Sequence, residues 1–259
     1  MSSTTAQDGN LRTRTAVVTG AASGMGEATA RLLAARGTRV ALLARRADRL
    51  TALAEKITAD GGRALAVPAD VTDEASVRAA AARVREAYGP ADLVVNAAGV
   101  MLANPVDAGR TDEWQRMIDT NLTGALRVID AFRPDLLAAG AAGRPADLVN
   151  ISSIGAHLTF PGYAVYTATK AALTHLSASL RTELGPRGVR VTNIEPGLTD
   201  TELGSHIDNA ELSHALDGMF DAFGQALTAD DIADLVAYTV SRPRHVNLRQ
   251  LVVLPTAQA

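Results

Sequence analysis

The run TAVVTGAASGMGEATARLLAARG, Thr15 to Gly37, decides how the rest of the chain is read. Its opening TAVVTG is an apolar stretch of strand length, and the glycine-punctuated turn after it leads into an alanine-rich helical stretch. Within TGAASGMG, Thr19 to Gly26, the glycines permit a tight bend and let the backbone approach a phosphate group. The helix start that follows favours an anion. The spacing is G-x-x-x-G-x-G, which differs from the general G-x-G-x-x-G fingerprint. Strand, glycine loop and helix in that order mark a pyrophosphate site, with Gly20, Ser23, Gly24, Met25 and Gly26 as its cradle. The plain alternative is an ordinary glycine turn.

Outward from this stretch the pattern repeats. RVALLA (Arg39 to Ala44), ALAVPAD (Ala64 to Asp70), DLVVNAAG (Asp92 to Gly99), ADLVNISS (Ala146 to Ser153), VRVTNIEPG (Val189 to Gly197) and RQLVVLP (Arg249 to Pro255) are further strand candidates. They are apolar throughout rather than alternating, as strands buried on both faces are. Helical patterns separate them, one with Leu50, Leu53 and Ile57 on a single face. The expected fold is α/β: a single Rossmann-type doubly wound parallel sheet of about seven strands with helices on both faces. No linker, repeat or charge block divides the chain, so residues 13–259 read as one domain behind a flexible tail, 1–12. The connection 199–224 is long and glycine-punctuated; it reads as a substrate lid, or more simply as a surface helical hairpin.

Composition removes several classes of function. The chain has 259 residues, 47% hydrophobic and 20% charged, with a formal net charge of −3, a balance unlike that of a nucleic-acid binder. Zero cysteines exclude disulfides, thiolate-bound metals and thiol nucleophiles. His157, His175, His206, His214 and His245 show no metal-binding spacing, and His206 and His214 read as surface residues. No apolar run approaches the roughly 18–20 residues of a membrane helix, and the polar start lacks a signal-peptide pattern, so a cytoplasmic protein is expected.

The motifs resemble those of the short-chain dehydrogenase/reductase family. T-G-x-x-x-G-x-G at Thr19 is followed in family order by Asp70 in ADVT, Asn96-Ala97-Ala98-Gly99, and Asn121 in IDTNLTG. Ser153 in NISSIG, Tyr166-x-x-x-Lys170 and Pro196-Gly197 complete the series, and the resemblance spans residues 14–255. Ala97 stands where many members carry a second asparagine. Within the family the chain looks closest to NADP-dependent reductases of the clavulanic acid dehydrogenase and 3-hydroxy acid (serine) dehydrogenase type. That likeness rests on RMIDTNLTG, IEPGLTDTEL and the ending VVLPTAQ, where Leu254 replaces an arginine.

Tyr166 and Lys170 are four apart, which puts both on one helix face, and Ser153 ends a strand where such sheets present their chemistry. A phenol with an ordinary pKa of about 10 needs help to work near neutrality, and an adjacent ammonium supplies it by stabilising the phenolate. The expected roles are Tyr166 as proton donor or acceptor, Lys170 as its electrostatic aid and ribose contact, and Ser153 as oxyanion donor. By resemblance Asn121 holds a water between Lys170 and solvent; its plain reading is a helix kink or cap. The resemblance also implies cofactor contacts from Val71, Asn96, Ala97, Gly99, Thr199 and Thr201 beside Asp70, Pro196 and Gly197.

An acidic residue near the end of the second strand binds ribose hydroxyls in NAD-using relatives of this fold. Here that position is Ala44, followed by Arg45 and Arg46, whose guanidinium groups suit a 2′-phosphate, so NADP(H) is expected. The alternative is two arginines facing water. Substrate-site candidates are Met101, Leu102, Ile154, His157, Phe160, Tyr163, Leu198 and Leu203; Tyr163 serves equally as packing, and Trp114 reads as helix packing. The leading function is an NADP(H)-dependent oxidoreductase for a carbonyl or alcohol of a small, specialised-metabolite-like substrate. A non-catalytic dinucleotide sensor on the same fold is the alternative, and an epimerase or dehydratase the third. Family members assemble as tetramers or dimers, which implies a homotetramer or homodimer through the Asn121–Ala139 and Tyr163–Gly185 stretches.

Overall fold

The computed structural model describes residues 11–258. In chain order it contains β1 (Thr15–Thr19), α1 (Gly24–Ala35), β2 (Arg39–Ala44), α2 (Ala47–Ala59), β3 (Arg63–Pro68), α3 (Glu74–Tyr88) and β4 (Leu93–Asn96). Then come α4 (Thr111–Ile118), α5 (Gly124–Ala141), β5 (Asp147–Ile151), α6 (Ala164–Leu184), β6 (Arg190–Pro196) and β7 (Thr199–Asp200). The chain closes with α7 (Ala210–Phe223), β8 (Leu227–Thr228), α8 (Ala229–Ser241) and β9 (Gln250–Val253). Seven strands form one sheet in the order β3-β2-β1-β4-β5-β6-β9, every neighbouring pair parallel. This is a Rossmann-like α/β fold, and each strand run read from the sequence lies in that sheet. The short parallel pair β7 and β8 was not foreseen.

Side-chain alternation along the strands divides the core into two layers. Ala16, Val18, Val40 and Leu42 pack with Leu33 of α1, Leu50, Leu53 and Ile57 of α2, and Ile232 and Val236 of α8. Val17, Ala41 and Leu43 face the other way, against Val77 and Val84 of α3, Val128 and Phe132 of α5, and Leu184 of α6. Both faces of the sheet are dry, which is why its strands lack polar alternation.

The tail expected over residues 1–12 needs correction at its inner edge. Residues 1–10 lie outside the described residues, but Leu11 is fully buried in the first layer. Its carbonyl accepts the Thr38 hydroxyl at 3.0 Å.

At the N-terminal ends of the four central strands lies a buried ionic cluster. Arg14 donates to Asp92 Oδ1 at 2.8 Å and to Asp147 Oδ2 at 2.6 Å, and Arg190 forks onto both oxygens of Asp147 at 2.7 and 2.9 Å. Arg14 is 1% exposed, and the carboxyl partners are buried with it. Such a pair tolerates the loss of one partner poorly, because the other charge stays dry and uncompensated. Arg14→Met leaves Asp92 with only Arg144, 3.6 Å away. The expected loss in unfolding free energy is about 3–5 kcal/mol, read from urea titration. A loss below about 1 kcal/mol would show the cluster to be dispensable.

Candidate active site

A cleft opens beyond the C-terminal ends of β1 and β4, where the strand order reverses direction. Ligands of doubly wound sheets sit at this switch point. Its walls include Gly20, Ser23, Gly24, Met25, Gly26, Arg45, Arg46, Asp70, Val71, Ala97, Gly99, Tyr166, Lys170 and Thr201. The loop expected to cradle a pyrophosphate is a tight turn that brings its backbone close to the loop after β4 and to α1. Gly20 has φ +66°, and a Cβ there would lie 2.8 Å from the Ala97 carbonyl oxygen. At Gly26 a Cβ would come within 2.4 Å of the Gly20 oxygen, so only glycine lets α1 start this close to β1. Thr19 Oγ1 accepts the amides of Ala97 and Ala98, each at 3.1 Å, and so fixes the facing loop.

The donor set fits a dinucleotide. Ser23, at the cap position of α1, makes no side-chain bond to the helix, which leaves the first-turn amides without a protein acceptor from that side chain. Its hydroxyl instead receives Arg46 Nη2 at 2.7 Å. Arg46 and Arg49 also converge on Glu202, at 3.0 and 2.6 Å. Those hydrogen bonds hold the Glu202 carboxyl down at about 2. Arg45 is exposed at the rim and forms no ion pair among the described residues. Burial works to raise the Asp70 carboxyl, but the Thr72 amide and hydroxyl, at 2.9 and 2.7 Å, hold it below its ordinary range.

Four of the expected residues stand elsewhere. Asn96 is buried, and its Nδ2 donates to Asn150 Oδ1 at 2.9 Å; it ties β4 to β5 rather than lining the cleft. Pro196, Gly197 and Thr199 line an adjoining cavity instead.

At the inner end of the cleft Ser153, Tyr166 and Lys170 come together. Ser153 follows β5, and its Oγ accepts the Gly155 amide at 3.0 Å, which leaves the hydroxyl proton free to donate. Lys170, 6% exposed, donates one proton to the Ile151 carbonyl at 3.0 Å and retains two more. Its Nζ lies 5.8 Å from the Tyr166 ring centroid. Burial lowers the Lys170 ammonium to about 8. Tyr166 departs from expectation: burial pushes its phenol up to about 12, against the Ser153 hydrogen bond that pulls it down. Desolvation of a 7% exposed phenol outweighs that hydrogen bond.

Asn121 sits in a π-helical turn, Asp119–Thr123, between α4 and α5. Its Oδ1 accepts the Val100 amide at 2.8 Å, and its Nδ2 donates to the Val100 carbonyl at 2.9 Å and to Thr169 Oγ1 at 3.1 Å. The residue thereby clamps the loop after β4 to the helix that carries Tyr166 and Lys170. π-turns of this kind concentrate at functional sites.

The adjoining cavity holds about 150 Å³ and shares Met25, Tyr166, Thr201 and Leu203 with the cleft. Met101, Ile154, Phe160, Tyr163, Leu198 and Leu203 line it as expected, and Tyr163 is part of its wall, edge-on to Phe160 at 6.2 Å. Leu102 is buried away from it. His157 turns outward, with Nε2 2.8 Å from the buried Glu195 carboxylate, which corrects its reading as a substrate contact. Trp114 packs beside Met117 and Tyr166, as helix packing. The sequence reading missed Leu216, Met219 and Phe220 of α7, and Gln258, whose Oε1 accepts the Leu198 amide at 2.8 Å. The apolar positions 212, 216, 219, 220 and 223 at helical spacing were the available signal.

A glycine loop at the switch point beside Ser153, Tyr166 and Lys170 is the layout of an oxidoreductase of this fold. The short chain dehydrogenase family matches residues 14–212, and the chain belongs to it. It is 36% identical over 246 residues to "Serine 3-dehydrogenase" of Rhizobium radiobacter, covering 95% of each chain. A solved structure, "The Closed form of serine dehydrogenase complexed with NADP+", superposes with a TM-score of 0.86 at 30% identity, covering 95% of this chain and 96% of that one. A 3-ketoacyl-(acyl-carrier-protein) reductase from Brucella melitensis, complexed with NADH, gives 0.83 at 27% identity, covering 93% and 97%. The similar structures therefore carry both dinucleotides.

Lys170 has a measurable consequence for stability. Its folded value of about 8 lies below the ordinary 10.5, so between pH 8 and 10 the unfolded chain holds a proton the folded one has released. Stability from this group then rises with pH across that window, by on the order of 2 kcal/mol. Urea midpoints at pH 8 and pH 10 should show the rise in wild type and lack that increment in Lys170→Met. Parallel pH responses in the two proteins would contradict it.

Proposed function

We propose that this oxidoreductase is a cytoplasmic, NADP(H)-dependent enzyme that reduces the carbonyl of a small substrate, or oxidises the matching alcohol. The observation that carries the reading is the meeting of Ser153, Tyr166 and Lys170 at the inner end of the glycine-loop cleft. Gly20, Ser23, Gly24, Met25 and Gly26 would hold the pyrophosphate, Asp70 and Val71 the adenine end, and Lys170 the nicotinamide ribose. When bound, the cofactor supplies or takes up the hydride.

The chain's own residues do the rest. Ser153 donates its free hydroxyl proton to the carbonyl oxygen and stabilises the charge that develops there. Tyr166 delivers the proton that completes the alcohol, and a phenol held at about 12 is loaded for that step at neutral pH. Lys170, cationic below about 8, favours the phenolate left behind. Asn121 is a positioning residue that keeps the Tyr166 helix in register with the cleft floor. The segment 199–224 serves as a lid, supported by its place in the cavity wall. Thr199 and Thr201 act at its hinge end.

Tyr166→Phe removes the transferred proton and little else. Turnover should fall about 10²–10⁴-fold while NADPH binding, followed by fluorescence, stays within a factor of about three. Turnover within fivefold of wild type would exclude Tyr166 as the acid.

Choice of NADP(H) rests on Ala44 and Arg45. Ala44 leaves no carboxylate to repel a 2′-phosphate, and Arg45 is the guanidinium at the rim not already held by Glu202. A hydrogen bond to a charged group contributes roughly 1.5–3 kcal/mol, or about 10- to 100-fold in affinity. Ala44→Asp/Arg45→Ala should therefore shift kcat/KM from NADPH toward NADH by at least tenfold, mainly through KM. An unchanged ratio would mean that Arg45 faces water only.

Assembly as a homotetramer or homodimer belongs to the same proposal, through the Asn121–Ala139 and Tyr163–Gly185 stretches. Leu126, 42% exposed on α5, supports an apolar contact there. Light scattering should give a multiple of 26.9 kDa, and a single 26.9 kDa species would refute it.

A further inference from the structure

Resting on the oxidoreductase reading, the cavity walls identify the kind of substrate. The space that meets Ser153 and Tyr166 is bounded by Met101, Phe160 and Tyr163 on one side and by Leu216, Met219 and Phe220 of α7 on the other. None of its lining residues is Arg, Lys, His, Asp or Glu. The charged groups nearest in sequence face elsewhere. His157 pairs with Glu195, Glu202 with Arg46 and Arg49, and Asp208 with Arg110. The single carboxamide, Gln258, already spends its oxygen on the Leu198 amide.

Lys170 borders the neighbouring cleft rather than this space, and a carboxylate entering this cavity would meet no cation in its lining. That is strongly unfavourable, and an amino acid would strand an ammonium there as well. An apolar group meets the opposite situation: two phenylalanines, a tyrosine ring and the flexible thioethers of Met101 and Met219. The volume, about 150 Å³, leaves room for a group of about ring size. We infer that the substrate is an uncharged ketone or aldehyde, or the corresponding alcohol, bearing one apolar substituent of about ring size. It is not a hydroxy acid or hydroxy amino acid, although similar proteins are serine dehydrogenases. In the reductive direction the C=O π bond breaks, a hydride forms the new C–H bond, and the Tyr166 proton forms the O–H bond. NADPH is oxidised as the carbonyl is reduced, and solvent returns the proton to Tyr166.

Methyl benzoylformate and benzoylformate share a ring and a ketone and differ by one charge, so they test this directly. With NADPH and wild-type enzyme, kcat/KM for the ester should exceed that for the acid by at least 100-fold. Met219→Arg, which sets a guanidinium on the cavity wall, should narrow that ratio by at least tenfold. Equal use of the two substrates, or oxidation of L-serine with a higher kcat/KM than 1-phenylethanol, would overturn the inference. A second measurement separates it from the oxidoreductase reading: calorimetric binding of the pair to NADP+-loaded Tyr166→Phe. Ester binding at least 30-fold tighter than acid binding, with no turnover by wild type, upholds the substrate class while the reductase reading fails. Absence of binding by the ester, or tighter binding of the acid, overturns the substrate class itself.

Discussion

Four adjacent parallel strands must hold one register, and the buried cluster of Arg14, Asp92, Asp147 and Arg190 sets it. These residues sit at or just before the starts of β1, β4, β5 and β6, with hydrogen bonds of 2.6 to 2.9 Å between their side chains. Apolar strands buried on both faces have little in their side chains to distinguish one register from the next. A slip of one strand would strand a charge in the interior, at a cost no apolar contact recovers. The opposite ends of those same strands carry Gly20, the Asn96–Gly99 loop, Ser153, and Pro196 with Gly197. The site is therefore aligned from below, by groups that take no part in it.

The upper ends carry their own ties, and these are neutral. Asn96 bonds Asn150, Asn150 bonds Ser177 at 2.9 Å, and Asn193 reaches Thr174 at 3.0 Å, so strands β4, β5 and β6 are stitched to each other and to α6. Thr19 does the same between β1 and the loop after β4. Held this firmly, the fold tolerates two groups that burial disfavours in their charged forms: Lys170, drawn down to about 8, and Tyr166, pushed up to about 12. Charge is fully paired where the strands begin and left partly unpaired where they end. That asymmetry separates the scaffold from the reacting groups.

Much of this was legible in the chain because it rests on local rules. Strands buried on both faces announce themselves as apolar runs, the face of α2 as Leu50, Leu53 and Ile57, and the tight turn after β1 as glycines that no other residue replaces. What stayed hidden depends on partners distant in sequence. Arg14 and Asp147 are 133 residues apart, and nothing at either position names the other, although a charge at the head of four apolar runs was a readable sign. His157 looked like a substrate contact until Glu195 took it from outside. Leu11 belonged to the core once Thr38 bonded its carbonyl. The Tyr166 phenol shows a different limit of the sequence: spacing gives proximity, whereas a pKa also registers burial, and here burial is the largest influence.

The stretch Thr201-Glu202-Leu203 joins the two halves of the site. Thr201 and Leu203 border both the dinucleotide cleft and the apolar cavity, while Glu202 between them receives Arg46 and Arg49 from the start of α2. The wall of the apolar cavity is thus tethered through ion pairs to Arg46 and Arg49. Exposed ion pairs of this kind are individually weak, but a carboxylate held at about 2 by two guanidinium groups remains charged throughout the working range. Any anion entering between those arginines competes with Glu202 for the same donors. The placement of the cavity wall and the orientation of Arg46 and Arg49 therefore draw on one set of hydrogen bonds.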